Sequence, residues 1–184
     1  MAELENINRF TEQALYYARS EHTEKDYSVR EISLSDVVHG AIADNKYFLR
    51  QNNVAVTVED VKYSIYSDDK WLRFILDQLI SNAVKYRADH PVLHFFAVKK
   101  SDSIILSVSD NGIGIPQGDL PRIFEKGFTG QNGRTIHSST GIGLYLCGRL
   151  CDKLGIGISA SSEGKETTIS LSFHINDFVT GVQG

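Results

Sequence analysis

Apolar positions recur every third or fourth residue in the first part of the chain, which predicts an amphipathic helix. The positions that carry this pattern are Leu4, Ile7, Phe10, Ala14, Leu15 and Ala18. A charged stretch from Glu21 to Asp26 then separates this helix from the rest of the chain. The pattern fits either a terminal helix packed on the domain or the end of a helix that belongs to a neighbouring domain.

From residue 27 onward the pattern alternates between the period of strands and the period of helices. Strands are predicted over residues 28–32, 54–58, 65–66, 92–98, 103–109, 156–161 and 167–175. Helices are predicted from Ser33 or Ser35 to about Arg50, from the cap Ser67–Asp69 to about Arg87, and over residues 141–154. The last two strands flank a short turn and so form a hairpin, which favours an α+β fold with helices layered on one face of a sheet.

Composition and charge narrow the class of protein. The 184 residues suffice for one domain, or for one domain with a short appendage, and 41% apolar residues exclude a disordered or collagen-like chain. A net charge of −4 argues against a nucleic-acid binder held by bulk electrostatics. Only two cysteines are present, which favours a reducing compartment, and no apolar run is long enough for a membrane span. We therefore expect a soluble chain, even if it is a piece of a membrane protein.

A carboxylate and two glycines follow the strand that is predicted to end near residue 109. Asp110 is placed to accept a hydrogen bond from an amino group such as the adenine N6 amine. Gly112 and Gly114 remove side chains, so that the backbone can approach a flat ligand closely. Taken alone, the segment fits an ordinary turn at least as well, because Asp, Asn and Gly are common turn formers.

A second group of small residues, 138–144, opens the last predicted helix. Glycines and hydroxyls at a helix N-terminus offer free N–H groups to a phosphate, although a helix cap with close packing explains them equally well. Between the two groups, residues 130–140 are mostly polar or glycine, a length typical of a lid or of a solvated loop. The cations Lys126 and Arg134 would allow such a lid to close over phosphates.

Polar side chains also share one edge of the long middle helix. Gln78, Asn82, Lys85 and Tyr86 follow each other at i, i+4, i+7 and i+8. An amide, a cation and an aromatic ring on one edge suit a metal–phosphate group beside a planar base. A solvated helix face explains the same residues when this edge is considered alone.

Together these segments resemble the ATP-binding catalytic domain of bacterial sensor histidine kinases, within the superfamily that contains gyrase, Hsp90 and MutL. The resemblance rests on the order and spacing of residues 82–86, 110–114, 124–128 and 140–144, and it covers roughly residues 28–175. Residues 128–134, FTGQNGR, resemble the antimicrobial-peptide-sensing (bacitracin-type) kinases of Gram-positive bacteria. The expected fold is a two-layer α+β sandwich. It has a mixed, mostly antiparallel sheet of about five strands, three helices on one face, and the N-terminal helix.

The resemblance implies roles for individual residues and implies ATP and Mg²⁺ as cofactors. Asn82 would ligate the Mg²⁺ that bridges the phosphates, and Lys85 would approach the phosphates. Asp110 would read the adenine amine, and Thr167 would assist it through a water molecule. The other implied contacts line the adenosine pocket, anchor the lid or offer N–H groups to phosphate: Tyr86, Gly112, Gly114, Ile115, Phe124, Lys126, Phe128, Arg134, Thr140, Gly141, Ile142, Gly143 and Leu144.

Two positions depart from the pattern of the resembled proteins. Gln78 stands where the hydrolytic members carry a glutamate base, and Asp77 is one position off that helix edge. An amide cannot deprotonate water well, which disfavours ATP hydrolysis and suits a kinase that keeps ATP for a histidine acceptor. Glu166 stands where glycine is usual, and we expect it to perturb the final hairpin.

None of the six histidines has the sequence context of a phosphoacceptor, since none is followed by the acidic residue and proline of a dimerising hairpin. We therefore expect residues 1–25 to be the tail of a dimerisation-hairpin helix and residues 26–184 to be the catalytic domain. The resemblance implies three further properties of the full-length protein. It would be a homodimer at the cytoplasmic side of the membrane, held there by segments outside this chain. Its partners would be its own phosphoacceptor domain and a response regulator, and not a nucleic acid.

Two other functions remain open from the sequence. One is a hydrolytic ATPase of the same superfamily, and the other is a nucleotide-binding or adaptor module that transfers nothing. Outside the motifs, Cys147 and Cys151 lie four residues apart and are expected to be small buried thiols rather than metal ligands. Trp71 is expected in the core.

Overall fold

A computed structural model describes residues 27–135 and 140–175, together with Thr11. The predicted N-terminal helix, with Leu4, Ile7, Phe10, Ala14, Leu15 and Ala18, therefore lies outside the described residues. Residues 136–139, which hold part of the second small-residue group, and the side chain of Arg134 also lie outside them.

In the part of the chain that the structure describes, seven strands form two sheets. They are β1 (Arg30–Ser33), β2 (Ala55–Glu59), β3 (Ser64–Ser67), β4 (Val92–Lys99), β5 (Ser103–Asp110), β6 (Gly157–Glu163) and β7 (Glu166–His174). The main sheet has the order β2-β4-β5-β7-β6 and is antiparallel except for the parallel pair β2-β4. The small sheet pairs β1 with β3. The predicted mixed, mostly antiparallel sheet of five strands is confirmed.

Within residues 27–135 and 140–175, five helices accompany the sheets. They are α1 (Leu34–Asp44), α2 (Lys46–Gln51), α3 (Asp69–Lys85), α4 (Gly130–Thr135) and α5 (Gly143–Leu154), and a 3₁₀ turn covers Leu120–Arg122. The predicted caps are present, since Ser33 Oγ accepts from Asp36 N at 3.2 Å and Asp68 Oδ1 accepts from Trp71 N at 2.9 Å.

The prediction of one continuous helix to about residue 50 was wrong, because the chain breaks at Asn45. The Asn45 side-chain amide donates to Ala41 O at 2.9 Å and to Asp77 Oδ1 at 2.6 Å. Such side-chain bonds to the backbone compete with the helical ladder, and here they end α1 and tie it to α3.

The apolar side chains of the main sheet face the helices. Leu93, Phe95, Leu106 and Leu171 are fully buried, and on β5 and β7 most of the alternate positions, on the opposite face, carry serine or threonine. The helices α1 and α5 both contact α3, which lies between them. Cys147 and Cys151 on α5 are fully buried, and Trp71 is almost fully buried. The predictions that these three side chains are buried are confirmed.

Candidate functional site

One cleft of about 370 Å³ opens between the C-terminal half of α3, the segment after β5 and the start of α5. This volume is in the range of small-molecule sites. The lining includes thirteen of the predicted site residues: Gln78, Asn82, Lys85, Tyr86, Asp110, Gly114, Ile115, Phe128, Thr140, Gly141, Gly143, Leu144 and Thr167. Segments distant in the sequence therefore meet at a single concave surface.

Helix α3 forms one wall of the cleft. Gln78, Asn82 and Lys85 lie along one edge of this helix, as their spacing predicts, and all three line the cleft. Burial lowers the pKa of Lys85, and its Nζ lies 5.4 Å from the centroid of the Tyr86 ring. The ammonium group is thus held at the cleft wall beside an aromatic ring.

The end of α3 is bonded directly to the segment that follows β5. Tyr86 N donates to Asn82 O at 2.9 Å, and Tyr86 O accepts from Ile113 N at 2.9 Å. These backbone bonds bring the amide of Asn82 and the carboxylate of Asp110 to the same cleft. The resemblance implies that both residues contact one nucleotide, and both do line the same cleft.

Asp110 ends β5 opposite Thr167 of β7, so the two side chains lie on the same face of the sheet. Burial raises the pKa of Asp110 to about 6, with a smaller contribution from the negative charge of Glu166. The hydrogen bond from Gly112 N to Asp110 Oδ1, at 2.9 Å, acts in the opposite direction. The cleft thus ends in a largely buried carboxylate beside a hydroxyl, an arrangement that accepts hydrogen bonds.

The two glycines after Asp110 pack closely against other segments of the backbone. A Cβ at Gly112 would lie 2.4 Å from Tyr86 O, and a Cβ at Gly114 would lie 2.4 Å from Gly164 O. Gly114 also has a left-handed φ of +74°. At both positions a side chain would meet other backbone, which by itself calls for glycine; Gly114 also lines the cleft, whereas Gly112 does not.

The lid segment is more structured than predicted, because α4 forms within it. Asn132 Nδ2 donates to Gly114 O at 2.8 Å, and Asp119 Oδ2 accepts from Gln131 N at 2.9 Å. Two side chains therefore fix the first turn of the lid to the segment that follows Asp110.

The two ends of the lid touch each other. Gly127 N donates to Gly141 O at 3.0 Å, and a Cβ at Gly141 would lie 2.4 Å from Gly127 C. Both glycines have left-handed backbones, with φ values of +75° and +66°. Gly141, one of the residues that the resemblance implies, lies at this base of the lid. Its left-handed backbone explains why α5 begins at Gly143 rather than at residue 141.

Several predicted contacts do not line the cleft. Phe124 instead packs against Gly148 of α5 and the core, which suits an anchor of the lid but not a ligand contact. Lys126 is exposed outside the cleft, and Ile142 packs against the core. The side chain of Arg134 lies outside the described residues, so its predicted contact stays a prediction.

The N-terminus of α5 faces the cleft through Gly143 and Leu144. Its N-cap residue is Ile142, and among the described residues no side chain caps its first turn. Thr140 Oγ1 accepts from Ile142 N at 3.4 Å, just ahead of the helix. Among the described residues, the first turn of α5 therefore has no side-chain cap, and binding of an anion there stays a prediction.

The departure at Glu166 does not disturb the final hairpin. The register of β6 and β7 runs unbroken from Gly157↔Ser172 to Glu163↔Glu166. The Glu166 carboxylate instead accepts from Ser109 Oγ at 2.9 Å. The expectation of a perturbed hairpin was wrong, because the larger side chain finds a partner on the neighbouring strand.

Sequence reasoning missed three side chains that hold the site together. Asn132 and Asp119 line the cleft. Ser162 on β6 is paired with Thr167 on the neighbouring strand β7. Asn132 lies within the FTGQNGR motif, so its position was a signal. Ser162 could have been found by counting equal distances from the turn, which places it opposite Thr167.

The donors present fit a magnesium ion held mainly by a nucleotide. Among the described residues, no group of three or more His, Cys, Asp or Glu side chains is placed to hold a metal. The amide oxygen of Asn82 is a hard ligand, and Mg²⁺ is commonly bound through one or two protein oxygens together with substrate phosphates.

The described histidines lie away from the cleft. His39 Nδ1 lies 2.8 Å from Ser35 O on its own helix, and His94 lies on the outer face of the sheet, 3.6 Å from Glu59. His90 and His174 are exposed, and among the described residues no histidine lines the cleft. His22 and His137 lie outside the described residues.

Comparison with known proteins gives a family match over much of the same region. Residues 67–177 match the family described as histidine kinase-, DNA gyrase B- and HSP90-like ATPases. The chain is 38% identical over 177 residues to the sensor histidine kinase YxdK of Bacillus subtilis, covering 93% of this chain and 54% of YxdK. It is 36% identical over 179 residues to the sensor protein BceS of Halalkalibacterium halodurans, covering 94% of this chain and 52% of BceS.

A solved structure shows the same fold at low sequence identity. The complex of histidine kinase ThkA with the response regulator protein TrrA aligns with a TM-score of 0.72 and 16% identity, covering 94% of this chain and 48% of that one. The chain spans about half the length of the curated relatives it matches. Within the described residues, no helix has both the length and the apolar character needed to cross a bilayer.

Proposed function

This chain belongs to the family of histidine kinase-, DNA gyrase B- and HSP90-like ATPases, and we propose that its cleft binds Mg-ATP for transfer of the γ-phosphate to a histidine. Its similarity to the sensor kinases YxdK and BceS supports grouping it with the bacitracin-type sensor kinases that the FTGQNGR motif resembles. The observation that carries the proposal is that Asn82 and Asp110, 28 positions apart in the sequence, line one cleft.

The purine would lie at the sheet end of the cleft. Asp110 and Thr167 present oxygen atoms there, and the adenine N6 amine is a hydrogen-bond donor. Tyr86 and Ile115 line the same cleft and would contact the adenosine. The buried carboxylate gains a partner when the amine binds, which supports its use in recognition rather than in packing.

The phosphates would lie between α3 and α5. Lys85 and the open N–H groups at Gly143 and Leu144 would neutralise their charge. Mg²⁺, when bound with ATP, would bridge the phosphates and be held to the protein by Asn82. Positioning and charge neutralisation are the main tasks of a protein in phosphoryl transfer, and these residues supply both.

The transfer step is a displacement at the γ-phosphorus. The bond from the γ-phosphorus to the bridging oxygen of ADP breaks, the unprotonated imidazole nitrogen of the acceptor forms a bond to that phosphorus with its lone pair, and the proton on the other ring nitrogen is released. Transfer to histidine fits this cleft better than hydrolysis does. Gln78 occupies the position that would hold a base, and Asp77 accepts a hydrogen bond from Asn45 at the α1–α2 junction. Asp77 does not line the cleft, so it is not placed to activate water there.

The acceptor, the partner and the cellular location belong to the proposal as well. The acceptor histidine would lie on the protein's own dimerisation domain, and residues 1–25 would be the tail of that hairpin. ThkA, a histidine kinase of the same fold, was solved in complex with a response regulator, which supports a response regulator as the onward partner here. The full-length protein would act as a homodimer on the cytoplasmic side of the membrane.

The test uses the chain with γ-labelled ATP, Mg²⁺ and a separately produced hairpin domain that carries the acceptor histidine. We expect acid-labile label on the hairpin, and none on a hairpin whose histidine has been replaced. Rapid release of labelled phosphate without the hairpin would contradict the proposal and favour a hydrolytic ATPase. Binding of ATP without transfer or hydrolysis would favour an adaptor module.

A further inference from the structure

A buried serine next to the cleft forms hydrogen bonds with several residues at the purine end. Ser162 on β6 is buried and does not line the cleft, but its Oγ accepts from Ile115 N at 2.9 Å and donates to Glu166 O at 3.0 Å. The same Oγ lies 3.4 Å from Thr167 Oγ1. In addition, Ser162 O accepts from Gln117 Nε2 at 2.6 Å.

These contacts determine which way the hydroxyl of Thr167 points. A serine hydroxyl has one proton, and the carbonyl of Glu166 is able only to accept, so the proton of Ser162 is used there. In the contact between Ser162 and Thr167, the donor is therefore Thr167. Its own proton is directed towards Ser162, so its oxygen is left to accept a hydrogen bond from the purine.

Two acceptors side by side favour one purine over the other. Adenine carries an amine at C6, which donates, whereas guanine carries a carbonyl there, which accepts. If the Thr167 hydroxyl were free to rotate, it would be able to donate to the guanine carbonyl. Fixing its proton removes that possibility.

We propose that Ser162 is the positioning residue that sets the preference of the cleft for adenine over guanine, by fixing the Thr167 hydroxyl as an acceptor. This inference rests on the proposed binding of ATP and identifies a residue that acts through Thr167 rather than by touching the nucleotide.

The test compares the dissociation constants of Mg-ATP and Mg-GTP in matched variants by calorimetry. Ser162→Ala is expected to lower the preference for ATP about tenfold, of the order expected for losing one oriented hydrogen bond. Ser161→Ala is the control, because Ser161 is an exposed neighbour on the opposite face of the same strand. It is expected to leave the preference unchanged.

A second pair of variants separates positioning from damage to the fold. In a Thr167→Val background, Ser162→Ala is expected to change the ATP-to-GTP ratio no further, because the hydroxyl it orients is absent. Ser162→Cys replaces the strong acceptor by a weak one at nearly constant volume, and it is expected to lower the ratio in the same direction if Ser162→Ala does not fold.

An unchanged ATP-to-GTP ratio in folded Ser162→Ala or Ser162→Cys would overturn this inference alone. An equal loss of preference in the presence and absence of the Thr167 hydroxyl would also overturn it. Failure of the unaltered protein to bind ATP at all would instead overturn the proposed function, and the inference with it.

Discussion

The two ends of the cleft are held in place by different means. At the purine end, Asp110, Thr167 and Ser162 lie side by side on β5, β7 and β6, and the register of three paired strands fixes their positions. The lid is held at its base by two left-handed glycines, Gly127 and Gly141, and by two side-chain hydrogen bonds at α4.

This difference assigns recognition of the base to one end of the cleft and entry and release of the ligand to the other. Side chains on a paired sheet keep their geometry when the surface around them moves, so discrimination between bases belongs there. The described part of the lid lies outside the sheet, and segments outside a paired sheet open at a lower free energy than the sheet does, which suits the lid to admit and release a ligand. Helix α3 joins the two ends, since Asn82 and Lys85 lie on it and Tyr86, the residue that follows it, bonds to the segment after Asp110.

The largest effect on phosphoryl transfer is expected at α3, the wall of the cleft that would contact the phosphates. Asn82→Ala removes the amide oxygen proposed to hold Mg²⁺, and we expect phosphoryl transfer to the acceptor hairpin to fall about a hundredfold or more. Lys70→Ala, an exposed position at the other end of the same helix, is the control. Transfer at the normal rate in Asn82→Ala, with the fold intact by circular dichroism, would show that the metal assignment is wrong.

The next effect is expected at the purine end. Asp110→Asn replaces an acceptor by a group that is able to donate, and we expect the affinity for ATP to fall by about 1–3 kcal/mol, or roughly 5- to 150-fold. Calorimetric titration with ATP and GTP measures it. An unchanged preference for ATP over GTP in this variant would count against the role of Asp110 in reading the base.

The same substitution is expected to make the unbound protein more stable. Because burial raises the pKa of Asp110 to about 6 from 3.8, the folded state binds its proton more tightly than the unfolded state does. The stabilisation this provides is complete below pH 3.8 and is lost as the pH rises through 6. Above that pH, Asp110→Asn should exceed the unaltered protein by up to about 2–3 kcal/mol in free energy of unfolding.

Urea denaturation between pH 4.5 and 8 measures this difference. We expect the advantage of Asp110→Asn to grow between pH 4.5 and 6.5 and to be constant above that range. A difference independent of pH would mean that Asp110 is not buried as a carboxylate in the folded protein. Together with the loss of affinity, the gain in stability would mark Asp110 as a residue kept for binding.

A smaller effect is expected at the lid. Gly141→Ala places a Cβ against the backbone of Gly127 at a left-handed φ, so the lid base must shift, and we expect ATP affinity to fall about tenfold. Gly155→Ala is the matched control, because Gly155 has the same φ of +66° but open space around its Cβ. It should cost about 1 kcal/mol of stability and leave ATP affinity unchanged. Equal effects of the two variants on affinity would contradict a role for the lid base in binding.

The sequence was most informative where local chemistry and periodicity agree. The strands of the main sheet, the caps at Ser33 and Asp68 and the helix edge at Asn82 follow from patterns within a few residues. The meeting of Asp110 with Asn82 was reached through resemblance, because no local pattern states which segments pack together.

What could not be predicted depends on contacts between distant residues. The break at Asn45 requires Asp77 on another helix, and the short helix α4 is held by Asp119 and Gly114. The glycine at position 112 reads as a ligand-binding feature in the sequence, but its Cβ position is occupied by the backbone of Tyr86. Such reasons become visible only when the packing is known.

The most direct test of the central claim is paramagnetic broadening by Mn²⁺-ATP, with Mn²⁺ in place of Mg²⁺, in the NMR spectrum of the chain. The account predicts that the side-chain amide of Asn82 broadens most strongly, only when nucleotide is present, while the backbone amides of Gly112 and Gly114 shift but broaden much less. Strongest broadening at Gly112 and Gly114, or no nucleotide-dependent change at Asn82, would contradict the placement of purine and metal at opposite ends of this cleft.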